Sequence, residues 1–196
     1  MKQLGSSVSQ LAYGAHVHKD AMAVLNECRW RTTDELDGLG IPRERAAELT
    51  GRAERRFVAL AHLCESPIEQ MMLAAMAFMV VPGSDCFPPA IHDVMSGEAW
   101  PKGPVVIVPQ FVIARFRLDF LVTIETAAGR YSFAVECDGA QHHSNINDRQ
   151  KDAARDAYLR GLGIKTVRRS GNWIYRQQWR IADEISAIIQ EKREAA

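Results

Sequence analysis

From Arg115 onward the chain alternates apolar and polar residues so regularly that the segment to Asp138 reads as a two-stranded ribbon. Phe116, Leu118, Phe120, Val122 and Ile124 fall on one side, with Arg115, Arg117, Asp119, Leu121 and Thr123 on the other. Successive side chains of a strand point to opposite faces, so this spacing specifies strand and not helix. After a turn at Ala127-Ala128-Gly129-Arg130, the returning strand sets Tyr131, Phe133, Val135 and Cys137 on one face. Ser132, Ala134, Glu136 and Asp138 occupy the other. A turn centred between Ala128 and Gly129 places Asp119 opposite Asp138 and Leu121 opposite Glu136. Opposed side chains on one face lie about 5 Å apart and diagonal ones about 7–8 Å. Asp119, Glu136 and Asp138 therefore crowd together, and like charges at that range raise one another's pKa. Oxygen ligands of this kind suit a hard divalent cation, Mg²⁺ or Mn²⁺. The alternative is a solvated acidic face.

The flanking segments build a mixed sheet around this ribbon. Val105 to Ile113 is rich in β-branched residues and predicts a strand, with Pro109 marking an edge or a bulge. A helix is expected from about Asn147 to Arg160, with Ala153, Ala154, Ala157, Tyr158 and Leu159 inward, ending at Gly161 and Gly163. The short strand Ile164 to Arg168 completes a right-handed strand–helix–strand unit, and a helix from Gln178 to Lys192 closes the chain. Just after Gly139 stand Gln141, His142 and His143, where a strand turns into a loop. Upstream, Ser66-Pro67-Ile68-Glu69 precedes the apolar run Met71 to Val81 and reads as a capping box. That role explains Ser66 and Glu69 without any chemistry.

The first 64 residues read as helical. Residues 20–31 carry Ala21, Val24 and Leu25 at helical spacing, and Thr32 to Gly51 reads as two short helices broken at Gly40-Ile41-Pro42. Helix, glycine turn, helix suits a helix-turn-helix module. However, Arg43, Glu44, Arg45 and Glu48 nearly cancel where a recognition helix would be basic. The proline-rich stretch from Pro82 to Pro104 is expected to be a loop.

Net charge is zero over 196 residues, yet residues 157–182 hold six bases (Arg160, Lys165, Arg168, Arg169, Arg176, Arg180) and no acid. A polyanion could lie there, and Trp173, Tyr175 and Trp179 could stack on bases or simply pack. The apolar run of 11 residues is too short to span a bilayer, and the N-terminus carries no apolar stretch of signal length. Cys28, Cys64, Cys86 and Cys137 form no CxxC pair. Reduced thiols in a cytoplasmic protein are the expectation.

SPIEQ (66–70), PQFVIARFRLDF (109–120), FAVECDGAQHH (133–143) and DAARDAYLRGLGIKTVRR (152–169) resemble, in order and spacing, a bacterial branch of the PD-(D/E)xK nuclease superfamily. That branch is catalogued as domain of unknown function 559 and is similar to the very-short-patch-repair endonucleases. The resemblance implies an α/β fold with a mixed sheet, a restriction-endonuclease-like αβββαβ core over residues 65–196 and a helical N-terminal extension over residues 1–64. It implies a Mg²⁺- or Mn²⁺-dependent endonuclease acting on nucleic acid, DNA in the first instance. Asp119 and Glu136 would hold the metal, with the Cys137 carbonyl oxygen as a further ligand and Glu69 reaching the same site from its helix. The superfamily's lysine is replaced by Asp138, leaving Gln141, His142 and Lys151 as candidates to activate water. Lys151, Arg168, Arg169, Arg176 and Arg180 would contact the phosphates. The competing expectation is a nucleic-acid-binding or assembly module that keeps this fold without turnover.

Overall fold

The computed structural model describes residues 16–80, 87–126, 129–139 and 146–194. Its elements are α1 (Lys19–Gly38), α2 (Arg43–Leu60), a 3₁₀ turn (Ala61–Leu63), α3 (Pro67–Ala77), β1 (Ala90–Ile91), β2 (Val105–Ile113), β3 (Phe116–Thr126), β4 (Gly129–Asp138), α4 (Ile146–Gly161), β5 (Lys165–Ser170), α5 (Gly171–Gln177) and α6 (Arg180–Glu194). The sheet runs β1-β2-β3-β4-β5. β2, β3 and β4 are antiparallel, and β1 and β5 pair in parallel with β2 and β4 at the two edges. The expected mixed sheet is therefore present, with a two-residue strand added inside the proline-rich stretch.

The apolar run becomes α3, whose residues from Glu69 to Ala77 are all buried. A helix apolar on every side belongs inside a core. It is packed by Ala21, Val24, Leu25 and Cys28 of α1, by Phe57 of α2, by Ile174, Ile181 and Ile185, and by Phe120, Val122, Ile124, Phe133 and Val135 of the sheet. The other sheet face carries a smaller core of Val106, Val108, Leu118, Leu121, Ala134, Leu159 and Ile164. No helix among the described residues is long and apolar enough to cross a membrane.

Three sequence expectations need correction. First, Thr32 to Gly51 does not hold two short helices: α1 runs 20 residues and α2 runs 18. The break does fall at Gly40, whose φ of 83° ends α1 as the Ile41 N–H bonds to the Leu36 carbonyl. Second, the hairpin register is shifted by two residues, with Leu121 opposite Ala134 and Thr126 opposite Gly129. This register sets Glu125 against Arg130 (3.4 Å) and Thr123 against Ser132 (3.2 Å), both favourable cross-strand pairs. Third, Ala153, Ala154, Ala157 and Tyr158 of α4 are not buried, and only Leu159 of that set is. The inward face of α4 is ionic instead.

Gln70, one residue beyond the capping glutamate, ties α3 to the segment before α1. Its Nε2 donates to the carbonyls of His16 (3.1 Å) and Ala61 (3.2 Å), and its Oε1 accepts from the His18 N–H at 2.7 Å. Replacing it with leucine keeps the volume and removes the partners of the His16 carbonyl and the His18 N–H, while the Ala61 carbonyl keeps its bond from the Cys64 N–H. Gln70→Leu should therefore cost about 2–4 kcal/mol in urea unfolding; a loss under about 0.5 kcal/mol would show that water replaces these bonds.

Candidate active site

The site forms where β2, β3 and β4 pass the N-terminus of α3 on one side and α4 on the other. Ser66 caps α3, accepting from the Glu69 N–H at 3.3 Å. The Glu69 carboxylate accepts from Ser66 Oγ (2.7 Å), from the Glu65 N–H (2.9 Å) and from Gln110 Nε2 (2.8 Å). The capping motif is thus modified: the glutamate reaches back to the residue before the cap and sideways to β2. Arg117 adds a two-pronged pair with Glu65 (2.7 and 2.6 Å), fastening β3 to the same helix start.

Gln110 lies between the paired positions Pro109↔Phe120 and Phe111↔Leu118, level with Asp119. Its φ is 51°, a left-handed conformation in mid-strand that costs a residue with a side chain about 1–3 kcal/mol. The strands change face across this point. Phe120, Val122 and Ile124 enter the larger core, whereas Leu118 enters the smaller one and Phe116 packs on Tyr158 of α4. Strict alternation puts Phe116 and Leu118 with Phe120; the left-handed residue breaks that phase. Sequence reasoning missed Gln110, for which the one signal was an amide after proline in an otherwise apolar strand.

Asp119 sits at this change of face. Its Oδ2 accepts from the Cys137 N–H at 2.7 Å. One step past Phe120↔Val135, the register brings Asp119 level with Glu136 and not with Asp138. Burial is the largest influence on Asp119 and pushes its carboxyl up, with Glu69 and Asp138 adding and the Cys137 N–H and Arg155 opposing. Glu136 is 4% exposed. Burial pushes its carboxyl from 4.5 up to about 7 against the pull of Arg155, with Asp119 adding to the rise. Arg155 contacts Glu136 Oε2 at 3.1 Å, while Oε1 is buried with no hydrogen-bond partner among the described residues. The Cys137 thiol is pushed well above its ordinary value by burial, so it stays protonated and only its backbone is available to a site.

From Glu136 a chain of charges runs along α4. Arg155 also contacts Asp152 (3.2 Å), and Arg168 of β5 contacts Asp152 (3.4 Å) and Asp156 (2.8 Å). Arg169 pairs with Glu184 of α6 and lies over the Trp173 ring at 5.1 Å. Arg168 and Arg169 thus meet carboxylates of the domain itself. Trp179 is covered by Arg31 of α1 at 4.9 Å, and the Tyr175 hydroxyl donates to Asp20 at 2.9 Å. Lys151, Arg176 and Arg180 are exposed. Gln141, His142 and His143 lie outside the described residues.

The structure brings Asp119, Glu136 and Glu69 to one junction, with Asp138 close enough to act on the first two. Among the described residues, no three His, Cys, Asp or Glu side chains are arranged to enclose a metal ion, so the expected trio is not a closed cage. What remains is a carboxylate pair, Glu136 buried and Asp119 half-buried, with one Glu136 oxygen lacking a hydrogen-bond partner among the described residues.

Residues 102–189 match the family model REase_MTES_1575. The match, to a restriction-endonuclease-like family, supports a domain of that kind over this stretch and points to a nuclease. It spans β2 to most of α6, includes Asp119, Glu136 and Arg155, and leaves Glu69 outside. No curated protein and no solved structure gives a significant match.

The raised carboxyls fix a pH dependence. Between about pH 4.5 and 7 the folded protein keeps a proton on Glu136 that the unfolded chain releases, so this group lowers stability as pH rises. Glu136→Gln removes the effect. In EDTA, the melting temperature of the variant minus that of wild type should increase from pH 5 to pH 8. A constant difference would mean that Glu136 is ionised throughout.

Proposed function

We propose that the chain is a metal-dependent endonuclease that hydrolyses phosphodiester bonds of DNA, of the branch similar to the very-short-patch-repair enzymes. The observation that carries this reading is Glu136 Oε1, buried beside Asp119 without a hydrogen-bond partner among the described residues, in a segment that matches a restriction-endonuclease-like family. The donor set fits a hard divalent ion. It is all oxygen, the rise that burial gives the Glu136 carboxyl is not offset by Arg155 and Arg168, and one carboxylate oxygen lacks a hydrogen-bond partner among the described residues. Two carboxylates suit Mg²⁺ or Mn²⁺, which commonly keep positions open for water and substrate phosphate. Asp119 and Glu136 would hold the ion, with the backbone at Cys137 adjoining. When bound, a divalent ion supplies Lewis-acid charge at the scissile phosphate.

The protein's own groups do the rest. The Cys137 N–H fixes the orientation of Asp119, and Arg155 holds one oxygen of Glu136 so that the other faces the site. Arg155 also brings positive charge to the acids from α4, where the family pattern has a lysine on the strand and this chain has Asp138. Glu69 is held by three donors and acts by positioning. The phosphate contacts fall to the exposed Arg176 and Arg180; Arg168 and Arg169 would first have to leave Asp152, Asp156 and Glu184. The second reading, a binding module without turnover, draws on the Glu136–Arg155 pair, in which arginine already serves as counter-charge.

Incubation with plasmid, single-stranded DNA and RNA, each with Mg²⁺, Mn²⁺ or EDTA, separates the two. Metal-dependent cleavage of DNA is expected, and Asp119→Asn or Glu136→Gln should lower it at least about 100-fold. Glu136→Gln should keep or tighten DNA binding, because it removes a negative charge. Binding without cleavage under every condition would establish the module instead. Replacing Arg176 and Arg180 with alanine should reduce the log–log salt slope of binding by about 0.7–0.9 per lost phosphate contact. An unchanged slope would place the phosphates on another surface.

A further inference from the structure

Gln110 combines three features that its structural role does not require. It holds a left-handed φ of 51° in the middle of a strand, where glycine would sit without strain. Its Nε2 donates to Glu69 Oε2 at 2.8 Å. Its Oε1 is buried and has no hydrogen-bond partner among the described residues. The orientation of the amide follows from chemistry: an ionised carboxylate only accepts, so the NH₂ group must face Glu69 and the oxygen must point elsewhere. The residue is level with Asp119, and Glu69 is close enough to Asp119 to raise its pKa. A link between α3 and β2 would be served by the Glu69 contact alone. A strained backbone and an acceptor without a hydrogen-bond partner among the described residues, in one residue beside Glu69 and level with Asp119, are what a bound ligand would explain.

We propose that Gln110 is a positioning residue of the site, whose side-chain oxygen is a neutral acceptor for the hydration shell of the divalent ion held by Asp119 and Glu136. The inference rests on the metal-dependent reading above. A neutral amide suits this place because a third carboxylate beside Asp119 and Glu69 would add like charge to a junction that already holds two acids. The part played by Glu69 is then to fix the amide, so that the oxygen is presented without rotation. The left-handed backbone puts the side chain at the junction of α3 and β3, where a regular strand would carry it along the alternation.

The test is Mn²⁺ titration by calorimetry, paired with thermal unfolding in EDTA. Gln110→Gly accepts the left-handed backbone and removes the amide. Gln110→Asn tolerates the same backbone and falls one methylene short, which provides a second folded variant. Both should bind Mn²⁺ about 10-fold or more weakly than wild type, as expected when a supporting group of a metal site is lost. The glycine variant should melt at or above the wild-type temperature. Mn²⁺ affinity within twofold of wild type in either folded variant overturns the inference and leaves Gln110 as a structural link to Glu69. Asp119→Asn keeps the two questions apart. If it abolishes Mn²⁺ binding while the Gln110 variants bind normally, only the role of Gln110 falls. If it binds like wild type, the metal site itself is wrong and the role of Gln110 falls with it.

Discussion

Ion pairs among the described residues tie helix α4 to the sheet, and the site depends on that attachment. Leu159 is the one buried side chain of the five assigned inward, whereas Asp152, Arg155 and Asp156 meet Arg168 and Glu136. These positions recur at three- and four-residue spacing, so a single helical face delivers them together. Ion pairs with little exposure cost desolvation and gain from geometry, and removing one partner is more harmful than never having the pair. Arg155 is the pivotal member. It ties the helix down and it sets the charge environment of Glu136, so local stability and site electrostatics depend on the same guanidinium.

On the other side of the sheet the junction is held by hydrogen bonds. Glu69 collects donors from the start of its own helix and from Gln110, and Gln110 in turn marks where β2 and β3 change face. A strand that kept strict alternation would bury Leu118 with Phe120. The left-handed residue instead divides the apolar side chains between two cores and leaves Asp119 at the division. Backbone strain here is coupled to the placement of an acid.

The basic stretch from Ala157 to Ala182 shows how charge along the chain can mislead. It holds no acid of its own, yet Asp152, Asp156 and Glu184 lie just outside it and fold back onto Arg168 and Arg169. Trp173 and Trp179, free in the sequence to stack on bases, are covered by Arg169 and Arg31. Charge density per segment does not tell which guanidinium groups are consumed inside the fold.

By itself the sequence determined the elements whose periodicity is local: the hairpin, the buried helix after Ser66 and the break at Gly40. Those follow from spacing of 2 or 3.6 residues and from capping chemistry, which neighbouring residues decide among themselves. The motif resemblance added the expected nuclease fold, and residues 102–189 match a restriction-endonuclease-like family model. Only the tertiary structure decided the register of the hairpin, the inward face of α4 and the part played by Gln110. Register follows from cross-strand partners such as Glu125 with Arg130. An ionic helix face is recognisable only when its counter-charges on β4 and β5 are in place. A left-handed residue in mid-strand is dictated by what lies across from it, here Glu69 and Asp119, and no period in the chain encodes that.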